Sequence, residues 1–338
     1  MTRRSILVPH FVVACTAALV AWPTFAWAQS GHANPIVDLL AAHKPVFGLY
    51  APSNRRPPQS SSATMSSEPP KSAAELARMA LAYPSADFIF DGSMEGDFEK
   101  GFSSFSEFAK GLAEGGMVQG SPLRFRLPTV VKMNEIAPDP AGAATRIARQ
   151  LNLGVSTVVF VGVESVNEVK TGLLAMRFRS HGGTRPNEAG DAPARWGMSA
   201  AEYQDRADLW PLNPKGELVN WTIVESKEGL AHVREIAAVP GIGVLFPGAG
   251  TLRGVFSSTD SSGKRVVDTL AWEAAIQQVL AACKEFKVAC GYPANANDIE
   301  MRMRQGFSVF VIGWGESGFK TIDIGRRVSG RATADNSR

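Results

Sequence analysis

The chain has 338 residues, 45% hydrophobic and 20% charged, with a formal net charge of +3. That balance excludes a disordered or fibrous chain and provides enough apolar content for one large core. The length suits either one large α/β barrel or two medium domains, and three cysteines are too few for a disulfide scaffold.

The first element reads as a targeting segment. "MTRRS" supplies Arg3 and Arg4, an apolar run interrupted by Pro9 and His10 follows, and Ala26-Trp27-Ala28 before Gln29 forms an A-x-A cleavage pattern. A cleaved signal peptide is expected over 1–28, and with it an exported protein, periplasmic or secreted. Thr2 to Leu7 also resembles a twin-arginine signal, a route that carries folded proteins. An uncleaved anchor and a lipoprotein signal ending at Cys15 are the alternatives. Removing 28 of the 338 residues leaves 310, and loss of Arg3 and Arg4 lowers the charge from +3 to +1. A nearly neutral chain has no electrostatic reason to bind nucleic acid, and no stable membrane span is expected after processing. Cys283 and Cys290 are both read as small core residues.

Residues 29–330 read as one domain and 331–338 as a disordered tail. Within the domain, Ala51 to Ser72 is rich in Ser and Pro and reads as a mobile loop or flap. Strand-like runs then alternate with stretches of helical periodicity. The runs are 46–50, 86–92, 123–128 ("LRFRLP"), 157–163, 220–226, 242–248, 288–293 and 307–314. Eight apolar strands alternating with helices predict a parallel sheet covered by helices, and eight is the count of a closed (β/α)8 barrel of TIM type. An open doubly wound sheet is the alternative. No G-x-G-x-x-G follows the first strand, so no nucleotide cofactor is expected. Residues 179–218 are long, polar and rich in Gly and Pro, and suggest an interfacial role at least as much as a catalytic one.

In such a barrel, chemistry belongs at the C-terminal strand ends. Those ends carry Asp91 and Glu95 in "FDGSME", Arg126 in "RFRLP", Glu164, Glu225 in "TIVES", and Gly248-Ala249-Gly250-Thr251 in "PGAGT". A carboxylate ending a buried strand must be paired, metal-bound or hydrated. Glu225 is therefore a metal ligand or a hydrated carboxylate, or else a helix cap or the partner of an arginine. Arg126 can grip a carboxylate through two parallel hydrogen bonds, or pair internally with Asp91 or Glu95. Backbone N–H groups at Gly248, Ala249 and Gly250 can receive an oxyanion, or form a plain turn.

The order of these strand ends, with "NPIVDLLAAHKPVFGLY", "DFIFDG", "ARQLNLGVSTVVFVGVESVNEV", "ARWG", "VPGIGVLFPG" and "GFSVFVIGWG", resembles the HpcH/HpaI aldolase/citrate lyase family. The resemblance covers about Asn34 to Arg327. It implies a pyruvate-type barrel that breaks or makes a carbon–carbon bond in a 2-oxo acid. A divalent metal, Mg²⁺ or Mn²⁺, would stabilise the enolate. It gives Glu225 the role of metal ligand, Arg126 that of oxyanion arginine, and Asp91 that of one member of an acid/base pair. Three positions depart from the pattern. Thr251 stands where the second metal carboxylate belongs, Met94 replaces the acid/base histidine, and Ile223 replaces a polar residue. Glu95 and Asp97 are nearby substitutes. A barrel that binds a small carboxylate without aldol chemistry is the alternative. Relatives of this kind assemble into homo-oligomers through C-terminal helices, and "GESGFKTIDIGRRVSG" is the corresponding segment.

Overall fold

Short runs of β-branched and aromatic residues form the strands, here labelled β1 (Val46–Tyr50), β2 (Phe88–Asp91), β3 (Thr129–Lys132), β4 (Thr157–Phe160), β5 (Leu218–Val224), β6 (Val244–Pro247), β7 (Ala289–Ala294) and β8 (Val309–Ile312). Each pairs in parallel with the next, and β8 returns to β1. The result is a closed eight-stranded barrel surrounded by helices, as the strand count predicts. The computed structural model describes residues 31–54 and 69–332. The expected leader over 1–28, most of the Ser/Pro-rich segment over 51–72 and the end of the tail over 331–338 lie outside the described residues. Among the described residues no helix is long and apolar enough to cross a membrane.

The third strand is the one misplaced by sequence pattern. The expected strand 123–128 is instead half of a small antiparallel pair, Val118–Gln119 with Arg124–Phe125. The barrel strand is the next run, Thr129–Lys132, pairing Ile89 with Thr129 and Asp91 with Val131. Pro128 separates the two runs; lacking an N–H, it suits the first position before a strand rather than its interior.

Alternation divides the strand residues between two cores. Val46, Phe88, Phe90, Val130, Val159, Trp221, Ile223, Val244, Phe246, Val309 and Val311 pack inside the ring, whereas Phe47, Leu49, Ile89, Val131, Val158, Val224, Leu245 and Phe310 pack outward against the helices. Gly48 and Gly291 make room for the large inner rings: a Cβ would stand 2.1 Å from Phe88 and 1.9 Å from Phe246 respectively. The N-terminal end is closed by helix α1 (Pro35–Ala41), whose Ile36, Val37 and Leu40 join the inner core. Asn34 caps this helix with its side chain and Pro35 occupies its first turn.

A buried carboxylate holds this plug in place. Glu217, at the start of β5, accepts the N–H groups of Ala33 at 2.9 Å and Asn34 at 2.8 Å, while Arg206 and His32 pair with it. Residues 179–218 are ordered around the same end. They include helices Ala192–Trp196 and Ala200–Arg206 and the short strand Leu209–Trp210, which pairs with the start of β5. Trp196, Tyr203 and Arg185 are fully buried there, Arg185 lying over the Phe178 ring at 4.1 Å. The segment therefore lies away from the C-terminal strand ends.

Cys283 and Cys290 are joined in a disulfide with Cα atoms 5.7 Å apart. Both are buried in the outer core as expected, but they are bonded to each other rather than separate. Helix Thr269–Phe286 ends at Lys287 in the left-handed conformation (φ 56°), which turns the chain back onto β7 and brings the sulfurs together.

The Glu217 cluster sets opposite pH dependences. Burial pushes Glu217 up, but the hydrogen bonds from His32, Asn34 and Ala33 together with Arg206 outweigh it and hold its carboxyl below the usual range. The hydrogen bond to Glu217 outweighs burial at His32 and raises its pKa. The His32 contribution is thus full below its ordinary pKa and disappears as pH rises through the raised value. The Glu217 contribution is full above its ordinary pKa and disappears as pH falls through the lowered one. His32→Gln is expected to lower stability by about 1 kcal/mol near pH 5.5 and by much less above pH ~8. Thermal melting of both proteins across that range checks it; an equal loss at both ends would refute the assignment.

Candidate active site

The C-terminal ends of the strands form a mouth above the inner core. Strand alternation points the residue two beyond each inner residue into it. Beyond Gly48 comes Tyr50, beyond Phe90 comes Gly92, beyond Val130 comes Lys132, beyond Ile223 comes Glu225 and beyond Phe246 comes Gly248. The floor beneath is Phe90, Val130, Val161, Ile223 and Phe246.

Lys132 and Glu95 are the central charged pair. Lys132 Nζ is 2.8 Å from both carboxylate oxygens of Glu95, and the lysine side chain is only 16% exposed. Asn134 pins the Glu95 loop by donating to the carbonyls of Glu95 at 3.0 Å and Gly96 at 2.6 Å. Gln150 donates to the Lys132 carbonyl at 3.0 Å. Tyr50 stands edge-on to Phe90 with ring centroids 5.0 Å apart. Burial, and then the nearby Glu95 charge, raise its hydroxyl pKa.

Glu225 faces the mouth from β5 in a tight seat. Its Oε1 accepts the Gly162 N–H at 2.9 Å. Gly248 leaves the space that its side chain fills, because a Cβ there would stand 2.4 Å from Glu225 Oε2. Gly162 itself has φ +59°, and a Cβ on it would approach Glu135 Oε1 to 2.9 Å. Gly162 therefore lies where two carboxyl side chains come close, and glycine suits both its conformation and its crowding.

The other expected residues are placed as follows. Arg126 is not at the mouth. It precedes β3, its backbone N–H bonds Met117 O at 2.7 Å, and its guanidinium donates to Leu81 O at 2.6 Å near the end of helix Ala73–Ala82. It lies in a bend before Pro128, ahead of the start of β3, whereas Lys132 ends that strand. Convergence of Arg126 with Glu225 is therefore corrected: β3 ends in Lys132, and that lysine is a cation at the mouth. Asp91 follows the inward Phe90 and so points to the outer side, where Oδ1 accepts the Ser93 N–H at 2.8 Å. Met94 is fully buried in the outer core beside Gln150 Nε2 at 3.4 Å, away from solvent. Asp97 caps the helix Phe98–Glu114 by accepting from Lys100 N at 3.1 Å. The Gly248 N–H is already bonded to Val224 O at 2.9 Å, so it is not available to a ligand oxyanion. Ala249 is buried and Gly250 borders open space.

The residues expected to hold a divalent cation do not fit one. Glu225 already spends one oxygen on a backbone N–H, and Thr251 lies on the exposed side of helix Ala249–Val255. Among the described residues no three His, Cys, Asp or Glu side chains cluster as a metal site. A hard cation wants several oxygen ligands, and a single neutral hydroxyl is a poor replacement for a carboxylate. Lys132 and Tyr50 were not singled out from the sequence. The signal that finds Lys132 is "TVVK" directly after Pro128, a β-branched run ending in a charge.

Similarity to known proteins agrees with this architecture. A family model described as HpcH/HpaI aldolase/citrate lyase matches residues 123–322. Hydroxypyruvate/pyruvate aldolases of Paraburkholderia phytofirmans and Delftia acidovorans are each 28% identical to this chain, over 152 and 151 residues. These matches cover 45% and 44% of this chain and 55% and 51% of those proteins, so the chain spans about half the length of the curated relatives it matches. The crystal structure of an HpcH/HpaI aldolase/citrate lyase family protein from Burkholderia cenocepacia superimposes with a TM-score of 0.57 at 21% identity, covering 83% of this chain and 92% of that one. At that identity the likeness speaks for the fold.

Arg126→Ala is expected to lower stability by about 1 kcal/mol through loss of the bond to Leu81 O. It should leave any affinity of the mouth for pyruvate unchanged. Thermal melting with calorimetric titration of pyruvate checks both; a large loss of affinity would return Arg126 to the site.

Proposed function

The chain belongs to the HpcH/HpaI aldolase/citrate lyase family, and from that premise we propose that it makes or breaks a carbon–carbon bond in a 2-oxo acid at the C-terminal mouth. The observation that carries this reading is the pairing of Lys132 with Glu95 above an apolar floor, with Glu225 seated across β4. An ammonium group at the end of β3 suits the carboxylate and oxo oxygens of an anionic substrate. Glu225, held by Gly162 on one oxygen, presents the other to a substrate hydroxyl as a general base. Glu95 exchanges protons with the group bound at Lys132, and Tyr50 lines the side nearest Glu95. The apolar floor keeps water from below, which strengthens each of these interactions. The metal-stabilised enolate implied by the family resemblance is not carried further, because the donor set does not match a resident cation.

A second reading, a barrel that binds a small carboxylate without aldol chemistry, draws on Met94: a buried thioether stands where an acid/base histidine is expected, and it transfers no protons. Turnover separates the two readings.

The protein is further proposed to act outside the cytoplasm, in the periplasm or secreted. The Arg3-Arg4 leader pattern supports this, and so does the Cys283–Cys290 disulfide, a bond that persists in oxidising compartments.

Release of a 2-oxo acid from a panel of 4-hydroxy-2-oxo acids provides the test. Glu225→Gln is expected to lower kcat by about 10²- to 10⁴-fold, the usual worth of a positioned base, with the fold intact. Retained carboxylate binding with no turnover of any substrate would favour the second reading.

A further inference from the structure

A carbon–carbon bond next to a 2-oxo group breaks only when something accepts the electron pair, and the cation site expected to do so lacks its ligands. Lys132 offers another acceptor. A primary amine can condense with a carbonyl group, whereas a guanidinium, the group the family resemblance implies through Arg126, cannot. Resting on the reading that the mouth takes a 2-oxo acid, we propose that Lys132 is the nucleophile of a Schiff-base aldolase, forming an iminium with the substrate oxo carbon.

The geometry supplies each proton this chemistry needs. An ammonium is not a nucleophile, and both oxygens of Glu95 lie 2.8 Å from Lys132 Nζ, within reach to take a proton. The free amine adds to the oxo carbon, giving a carbinolamine. Glu95 returns its proton to the carbinolamine hydroxyl, which leaves as water, and the iminium forms. Glu225 then removes the proton from the hydroxyl on the carbon beyond the breaking bond. The electron pair of that bond moves toward the iminium nitrogen, releasing an aldehyde or ketone and leaving an enamine on Lys132. Glu225 then returns the proton it took, to the enamine carbon, which restores an iminium, and one water hydrolyses it to free the 2-oxo acid and the amine. One water leaves and one enters, and nothing is oxidised or reduced.

The surroundings suit a fixed lysine. Its strand is locked in the sheet through the pairing of Lys132 with Val159, its backbone carbonyl is held by Gln150, and Gly92 beside it brings no side chain. A Cβ on Gly92 would meet Lys132 Cδ in ordinary contact at 3.7 Å, so the glycine lies directly beside the largely buried aliphatic stem. Asn134 holds the Glu95 backbone, so acid and amine keep their relative place.

The decisive experiment is borohydride reduction of the full chain in the presence of pyruvate, followed by peptide mass spectrometry, with and without EDTA. Expected is a stable adduct on the peptide carrying Lys132, equal to pyruvic acid less one oxygen, of equal yield under chelation. It should be absent from Lys132→Arg, whose melting curve reports that the fold is kept. Glu95→Gln should slow adduct formation at least tenfold. Turnover of a 4-hydroxy-2-oxo acid that EDTA abolishes, with no adduct, would overturn the Schiff base and leave the lyase reading standing. An adduct at Lys132 without any turnover would keep the Schiff base and remove the lyase reading. Neither adduct nor turnover, or an adduct confined to other lysines, would overturn the proposal.

Discussion

A closed ring of eight parallel strands has no edges and only two places for a charge, its ends. Inside the ring, each strand contributes alternate residues to a core filled by rings and branched chains, and a bare carboxylate or ammonium there would cost several kcal/mol. Charge is therefore driven to the start or finish of a strand. Which end a side chain reaches is decided by where its strand begins and by whether its position is odd or even. Every functional assignment in this molecule depends on those two counts.

β5 illustrates both ends at once. All seven of its residues are buried, and a glutamate stands on either side. Glu217, at the N-terminal end, is fully buried and satisfied by backbone N–H groups and Arg206. It has no free oxygen to offer a ligand; its work is to fasten the residues leading into α1, the plug that closes the barrel floor. Glu225, at the C-terminal end, has one backbone N–H on one oxygen and a glycine beside the other. The same residue type on one strand is structural where its partners are complete and available for chemistry where they are not. A rigid plug at one end also means that the mouth at the other is built on a fixed floor rather than on loops alone.

Much of this was legible in the sequence, and the exceptions have particular causes. Seven strands fall where apolar runs put them, and Glu225 falls at the mouth because the parity of Trp221, Ile223 and Glu225 is unbroken. The third strand failed because "LRFRLP" and "TVVK" are both short apolar runs, and periodicity alone does not choose between them. The arginine-bearing run has the stronger alternation, with Phe125 and Leu127 buried, yet it is spent on a two-residue antiparallel pair below the barrel. Only the lateral pairing of Ile89 with Thr129 settles the matter, and that is a tertiary fact. The cysteines failed for a related reason. They sit seven residues apart on a helix and a strand, and the turn at Lys287 that joins their sulfurs leaves no mark in composition. Asp91 failed by parity: one residue past Phe90, it lies on the outer side of the strand.

The shift from Arg126 to Lys132 also changes how the departures from the family pattern fit together. Taken singly, Thr251 for a carboxylate and Met94 for a histidine look like decay of a metal-dependent site. Taken with a lysine at the end of β3 and a glutamate whose two oxygens both contact its amine, they fit the proposed mouth whose cation is covalently part of the chain. A metal needs ligands on two strands held at fixed separation, whereas an amine needs only one strand and one proton partner. Once the lysine is in place, the second carboxylate is no longer required, and a hydroxyl facing solvent at Thr251 costs nothing. Met94 is likewise free to fill the outer core beneath Gln150, whose amide in turn steadies the Lys132 backbone. On the proposed reading, substitutions that damage one chemistry become packing and support for another: Met94 fills the outer core, and Ile223 joins the apolar floor inside the ring.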